Sequence, residues 1–288
     1  MFRFAERPDS TNFDNDDTLD SVRDEVRRIY EAALPDFVTD DDRIEFPKKV
    51  MGKSSDLWKG FKSDFAKAQH GRCGYCDIRV VGTQYCDVDH FRPKAMVQVL
   101  DTASQGTEQD NASNVSDRKA LRTIGTGYWW DAYSWANFLL SCEICNRTWK
   151  RNYFPVDCDM AQRSRPQENA LEHELLFHPF KDEEPINHFR YELDGRIRGI
   201  SPMGVATIET AGLWRPSLVV QRKKHLATLA RLIDEMRAPT ASDDLVRSHV
   251  RTILEKGADD AHNFPGMTRV FWTQISGVSW EELEHLTR

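Results

Sequence analysis

The sequence lacks any uninterrupted apolar run approaching the ~18 residues that a membrane-spanning helix needs, so no membrane association is predicted. Its N-terminus, Met1-Phe2-Arg3-Phe4 followed by acidic residues, also lacks the basic and apolar regions of a secretory signal peptide. We therefore expect a cytoplasmic protein. Structural disulfides are uncommon in that compartment, so the six cysteines require another explanation.

The chain also has no excess of positive charge. Its formal net charge is -7. Residues 1–50 carry 14 acidic and 8 basic side chains, so the acidity is mostly an N-terminal property. The remainder is close to neutral and can still present a local basic surface, so the charge balance neither favours nor excludes a polyanionic partner. The acidic segment 1–50 is a candidate for autoinhibition or partner docking.

Helical periodicity marks several stretches of the chain. Apolar residues recur at helical spacing over 18–34 and again from Ser54 or Ser55, where Gly71 is expected to end the helix. Asp194-Gly195 lies between two extended segments, which predicts a β-hairpin. Further helices are predicted at 205–213, 216–237 and 243–256 and from Trp280.

Four of the cysteines form two C-x-x-C pairs, Cys73 with Cys76 and Cys142 with Cys145. Each pair can present two thiolates to one metal from a tight turn, and together they predict a tetrahedral zinc site. The 65 residues between Cys76 and Cys142 include a polar stretch at 101–120 that is typical of a surface insertion. No βαβ pattern surrounds either pair, which argues against thioredoxin-like redox chemistry. The remaining cysteines, Cys86 and Cys158, are expected to be small buried groups.

A carboxylate and an imidazole lie between the two pairs, at Asp89 and His90. Strand alternation puts Cys86, Val88 and His90 on one face, and Asp87 and Asp89 on the other. An asparagine, Asn146, directly follows the last cysteine.

These residues resemble the HNH (ββα-metal) endonucleases that have a four-cysteine zinc frame. The order C-x-x-C, Asp-His, C-x-x-C-Asn is similar to phage endonuclease VII, and the fuller strings look closer to the HNH proteins of retron and Septu-type anti-phage systems. The motif match covers 73–155, and a looser similarity continues to about residue 222. The strings that carry it are Cys73-Gly-Tyr-Cys76, Asp89-His-Phe-Arg-Pro-Lys94, Trp135-Ala-Asn-Phe-Leu-Leu-Ser-Cys142, Cys142-Glu-Ile-Cys145-Asn146-x-x-x-Lys150 and Phe154-Pro155.

The resemblance implies a role for each polar residue of the motif. His90 would be the general base, and a neutral imidazole suits proton removal from water near pH 7. Asp89 and Asn146 would hold a catalytic Mg²⁺ or Mn²⁺, in agreement with the preference of hard cations for oxygen ligands. Asn137 would brace the loop around that metal, and the zinc would be structural.

Basic residues flank this predicted centre. Lys94, Lys150, Arg92 and Arg147 are expected to contact phosphates, as is Arg151, and the alternative is solvated surface charge. The aromatic residues before the second cysteine pair are expected to pack in the core, although stacking on bases is the alternative. They are Tyr128, Trp129, Trp130 and Trp135.

Together these patterns predict an α+β protein with a zinc-stapled ββα-metal (His-Me finger) core embedded in a mainly helical chain. We expect an N-terminal helical segment at 1–70, the nuclease core at 71–156, and a hairpin plus helical region at 157–288. The expected function is metal-dependent cleavage of nucleic acid, with DNA favoured, in anti-phage defence beside an ATPase or reverse-transcriptase partner. The alternatives are a non-catalytic zinc-dependent nucleic-acid-binding module and a scaffold for a protein partner.

Overall fold

The computed structural model describes residues 3–4, 7–8, 10, 24–25, 27–28, 57–100, 121–157, 172–181, 184–261 and 263–285. The predicted insertion at 101–120 lies outside the described residues. Within the predicted helix at 18–34 only residues 24–25 and 27–28 are described, and these are helical. Most of the acidic segment 1–50 is likewise outside the described part.

The described chain combines short strands with longer helices, which confirms a mixed helix and strand fold. Its strands pair antiparallel as β1 with β4, β2 with β3, and β5 with β6. The strands are β1 Cys86–His90, β2 Met96–Leu100, β3 Leu121–Thr126, β4 Phe138–Cys142, β5 Phe189–Tyr191 and β6 Ile197–Gly199. The helices are α1 Lys62–Ala68, α2 Pro202–Ala211, α3 Pro216–Arg237, α4 Asp243–Gly257, α5 Pro265–Ser276 and α6 Trp280–His285.

Two further helical segments border the strands that matter most here. A 3₁₀ turn, Leu57–Phe61, leads into α1, and a π-helix, Ile144–Lys150, follows β4 after a single residue. The π-helix packs against α2, where Gly212 ends the helix with a φ of 57°. A Cβ at Gly212 would lie 1.9 Å from the Trp149 ring, so only glycine permits this contact.

Several sequence predictions are confirmed by these elements. The α3 helix spans the predicted 216–237, and the Asp194-Gly195 turn joins β5 to β6 with Gly195 at a φ of 94°. The helix α5 was not predicted. Met267, Val270 and Phe271 are buried on one face of this 12-residue helix at i, i+3 and i+4, and a single such triplet is a weak periodic signal in the sequence.

Three of the four predicted aromatic residues lie in the core, and the fourth, Trp130, is half-buried against it. Trp129 and Trp135 are buried, and Tyr128 is buried as well. The Trp135 ring packs against Phe65 at a centroid distance of 4.7 Å and against Phe138 at 6.2 Å. This packing fixes β4 against α1. Among the residues that the structure describes, no helix has both the length and the apolar character needed to cross a membrane.

Two histidines with lowered pKa values predict how stability responds to acid. Burial, together with the Arg7 guanidinium 3.2 Å away, lowers the pKa of His178 to about 3, and burial lowers the pKa of His225 to about 4. Unfolded histidines titrate near 6.5, so below that pH the unfolded chain binds protons that the folded chain does not. We expect the free energy of unfolding to fall by about 1.4 kcal/mol per pH unit per histidine between pH 6.5 and 5.

Urea denaturation at pH 7, 6 and 5 measures this slope. The control is His225→Gln, whose amide can keep the bond that His225 Nε2 makes to Thr268 Oγ1 at 2.8 Å but does not titrate. The variant should lose the contribution of His225, about 1.4 kcal/mol per pH unit. Stability that is constant over this range in the wild type would contradict the expectation.

Candidate metal centre and cleft

The four predicted zinc ligands come together in the core. Cys73, Cys76, Cys142 and Cys145 are each no more than 1% exposed, and their sulfur atoms all lie within 4.8 Å of one another. Cys76 Sγ and Cys142 Sγ are 4.0 Å apart. A tetrahedral zinc with Zn–S bonds of 2.3 Å places its sulfurs about 3.8 Å apart. The cluster therefore has the dimensions and the ligands to hold a metal ion such as zinc.

Hydrogen bonds to the backbone of β4 bring the two cysteine pairs together. The Gln69 side chain is fully buried and bonds Leu140 twice, through Oε1 to Leu140 N at 2.6 Å and through Nε2 to Leu140 O at 3.0 Å. Gly74 N donates to the same Leu140 oxygen at 2.9 Å. These bonds hold the loop of the first pair on β4, two residues before Cys142.

A buried arginine lies beside the cysteine cluster. Arg215 Nη2 is 3.4 Å from Cys145 Sγ, and Nη1 donates to Ala211 O at 2.9 Å. Burial alone would lower the pKa of Arg215, but the adjacent cysteines raise it above its usual value. Four thiolates around one Zn²⁺ carry two net negative charges, which this guanidinium partly offsets. No sequence pattern indicated Arg215, because it lies 70 residues beyond Cys145.

Asp89 is held by the loop of the first cysteine pair on one side and by a lysine on the other. Its carboxylate is buried, and Oδ2 accepts a hydrogen bond from Tyr75 Oη at 2.7 Å. Tyr75 lies between Cys73 and Cys76, so the first cysteine pair orients this carboxylate directly. Lys150 Nζ lies 3.3 Å from the same oxygen.

His90 lies at the end of β1, opposite Phe138 of β4. Its Nε2 is 2.9 Å from Ala132 O, and its ring meets the Phe138 ring edge-on with centroids 5.0 Å apart. Burial lowers the pKa of His90 well below its ordinary value, and the nearby Lys94 and Lys150 charges lower it further. The imidazole is therefore neutral at pH 7.

An open cleft of about 300 Å³ collects the predicted polar residues. Four cations and two carboxylates line it, which leaves a formal charge of +2 with a neutral histidine. A locally positive cleft thus exists on a chain whose net charge is -7. The lining residues are Lys59, Asp87, Val88, Asp89, His90, Pro93, Lys94, Asn146, Arg147, Arg151 and Asn152.

Asn137 lies behind the cleft. The asparagine is buried, and its Oδ1 accepts from Arg92 N at 2.7 Å. Its Nδ2 donates to Arg92 O at 3.1 Å and to Asp131 O at 3.0 Å. These bonds tie the segment after β1 to the segment before β4.

Two of the cations expected at phosphates lie inside the protein instead. Lys150 is only 1% exposed, and its Nζ donates to His90 O at 2.8 Å in addition to its contact with Asp89. Arg92 is bound by the Glu172 and Glu174 carboxylates. A phosphate contact from either side chain would require these bonds to break, whereas Lys94 and Arg147 line the cleft.

Sequence reasoning missed Lys59, Asn152 and Tyr75. Lys59 belongs to the 3₁₀ turn before α1, about 30 residues before Asp89, and only the tertiary fold brings it to the cleft. Tyr75 was visible within its C-x-x-C pair, yet spacing alone does not show what its hydroxyl contacts. Cys86, expected to be a small buried group, is buried opposite Cys142 and outside the four-cysteine cluster. Cys158 lies outside the described residues.

The chain is similar to two proteins of Bacillus mycoides (strain KBAB4). It is 31% identical over 213 residues to the Septu protein PtuB, which covers 69% of this chain and 65% of PtuB. It is 30% identical over 159 residues to the Septu protein PtuA, which covers 53% of this chain and 19% of PtuA. The chain is thus homologous to Septu proteins and spans less than two thirds of either relative. No family model matches the chain.

Proposed function

We propose that this chain is a metal-dependent endonuclease of the HNH type that hydrolyses phosphodiester bonds in nucleic acid, with DNA as the favoured substrate. One observation carries the proposal. Asp89, His90 and Asn146 line a single cleft together with Lys59, Lys94, Arg147 and Arg151. A carboxylate, a neutral imidazole and an amide oxygen inside a positive cleft are the groups that metal-assisted phosphodiester hydrolysis uses.

Two different metal ions fit the donor groups. The four buried thiolates suit zinc, whereas Asp89 and Asn146 offer oxygen atoms, which Mg²⁺ and Mn²⁺ prefer. When bound, the hard cation neutralises the charge that develops on the scissile phosphate and its leaving oxygen. Tyr75 fixes one oxygen of Asp89, and Cys145 fixes the backbone immediately before Asn146. The zinc frame therefore positions both ligands without taking part in the reaction.

His90 has the surroundings of a general base. Ala132 O accepts a hydrogen only from a protonated Nε2, and in the neutral ring that arrangement leaves Nδ1 as the basic nitrogen. The Phe138 ring and β4 hold the imidazole in place. Nδ1 is then the atom that takes the proton from the attacking water.

Lys150 keeps the buried Asp89 carboxylate paired. Its ammonium contacts Asp89 and His90 O at the end of β1, so it orients the two residues relative to each other. An unpaired carboxylate at this depth would be costly. We assign Lys150 a positioning role. The direct phosphate contacts are assigned to the cations that line the cleft, Lys59, Lys94, Arg147 and Arg151.

The homology supports a role in anti-phage defence within a Septu-type system. An ATPase or reverse-transcriptase protein is the proposed partner.

Cleavage assays with supercoiled plasmid and single-stranded DNA test the proposal. We expect no cutting without added divalent cation and cutting with Mg²⁺ or Mn²⁺, while zinc remains bound at about one ion per chain. Asn146→Ala should raise the concentration of Mg²⁺ needed for half-maximal cleavage by about 10- to 100-fold, because it removes one metal ligand. Asn152→Ala, a second asparagine of the cleft without an assigned ligand role, should leave this concentration unchanged.

The same assays separate the rival functions. A zinc-loaded chain that binds DNA but does not cleave it with any divalent ion would contradict the nuclease proposal and favour a binding module. A chain without salt-dependent binding to DNA or RNA would favour a protein scaffold.

A further inference from the structure

One exposed aromatic residue lies just beyond the cleft. The Tyr85 side chain is 85% exposed, the largest exposure among the large hydrophobic residues of the described chain. Ile144, at 38% exposed, lies close by because Glu143 N donates to Tyr85 O at 3.2 Å. Scattered aliphatic side chains are common on protein surfaces, but a nearly fully exposed aromatic ring beside a functional cleft is less so.

The direction of β1 relates this ring to the cleft. Asp87 and Asp89 of β1 line the cleft together with Val88 and His90. Tyr85 directly precedes β1, and its carbonyl accepts a hydrogen bond from Glu143 N just after β4. At about 3.3 Å per residue of extended chain, the Tyr85 backbone lies about 13 Å from that of Asp89.

We infer that Tyr85 stacks on an unpaired base of the substrate. This inference rests on the proposed function and adds a substrate class to it, namely nucleic acid with at least one unpaired nucleotide near the cut. A separation of about 13 Å corresponds to about four nucleotides of a stacked strand, and to fewer in an extended one. A base within a regular duplex is stacked on its neighbours and cannot offer its face to the ring.

The charges around the ring favour nucleic acid over an acidic protein surface. Arg147, whose side chain is 63% exposed, lines the cleft, pairs with Asp87 and lies 3.9 Å from Glu143, whose backbone N donates to Tyr85 O. With Lys59, Lys94 and Arg151 it supplies the four cations of the cleft. Cations that follow a backbone and an aromatic ring that takes a base are the combination by which proteins bind single strands.

The test measures the affinity of the full, zinc-loaded chain for labelled DNA by fluorescence anisotropy in Mg²⁺. His90→Ala serves as the background so that the DNA stays intact. Tyr85→Ala should weaken binding to a single strand, or to a duplex with a single-stranded flap, by about 5- to 150-fold. Tyr85→Phe keeps the ring and should stay within about twofold of the parent. Binding to a blunt duplex should be the same in all three proteins.

Leu193→Ala is the matched control, because Leu193 is 57% exposed on the β5–β6 hairpin and does not line the cleft. It should leave every affinity unchanged. Equal single-strand affinities for Tyr85→Ala and its parent would overturn the inference while leaving the proposed nuclease intact. Loss of a protein partner with unchanged DNA affinity would also overturn it and identify the patch as a protein interface. A parent that binds none of these DNAs would overturn both proposals.

Discussion

Replacing Cys142 with serine is expected to release the bound zinc and to abolish the cooperative unfolding transition of this protein. Cys142 ends β4 and shares the four-sulfur cluster with Cys145, Cys73 and Cys76. A structural zinc contributes about 10–16 kcal/mol in small zinc domains, whereas a whole folded domain is stable by about 5–15 kcal/mol. The two ranges overlap, so loss of the metal is expected to remove most or all of the folding stability of the described core.

Cys86→Ser provides the matched control for that experiment. Cys86 is a buried cysteine paired with Cys142 across β1 and β4, but it does not belong to the cluster. The serine hydroxyl in this place should cost about 1–3 kcal/mol and leave one zinc per chain. Metal analysis of the purified proteins and thermal unfolding followed by circular dichroism measure both effects. A Cys142→Ser protein with full zinc and a wild-type transition would show that the cluster is not a metal site.

The four-cysteine cluster could be predicted from sequence because ligand type and spacing are local properties. A C-x-x-C pair places two thiolates in one turn whatever surrounds it, and two such pairs complete a tetrahedron. Residues next to the ligands in the sequence must also lie near the cluster, as Asn146 does because it directly follows Cys145. For the same reason the juxtaposition of Asp89, His90 and Asn146 in one cleft could be expected from the motif.

Ligand type and spacing do not predict whether the long cationic side chains are buried or exposed. Lys150 and Arg147 are three residues apart in the π-helix, yet one is buried against Asp89 and the other is exposed. The difference depends on the turn of the helix and on where buried carboxylates need a partner. Arg92 likewise lies between Glu172 and Glu174, some 80 residues further along the chain. Sequence patterns contain no record of such long-range pairs.

Helical periodicity predicts some of the helices and misses others. It identifies α3, whose Leu218, Leu226 and Leu229 form a buried stripe opposite exposed lysines. It does not single out α5, in which Met267, Val270 and Phe271 occupy one face at i, i+3 and i+4. One such triplet in a 12-residue helix is a weaker signal than the repeated leucines of α3.

The largest expected effect on activity comes from His90→Gln. A glutamine can keep a hydrogen bond to Ala132 O, which His90 Nε2 approaches at 2.9 Å, but it cannot accept the proton of water. General-base catalysis contributes about 10²- to 10⁴-fold, so single-turnover cleavage in saturating Mg²⁺ should slow by that factor. Zinc content, the unfolding transition and DNA affinity should stay close to those of the wild type, because the geometry around Asp89 and Lys150 is retained.

His225→Gln is the control for this substitution, since His225 is a partly buried histidine of α3 that hydrogen-bonds Thr268 and does not line the cleft. It should cleave at the wild-type rate. A His90→Gln protein that cleaves slowly but has normal zinc content and normal DNA affinity has lost the base and kept its fold. If His90 only braced the fold, the substitution would change the zinc content, and if it only bound the substrate, the substitution would change the DNA affinity. Cleavage by His90→Gln at the wild-type rate would contradict the base assignment. Another group of the cleft would then have to take the proton.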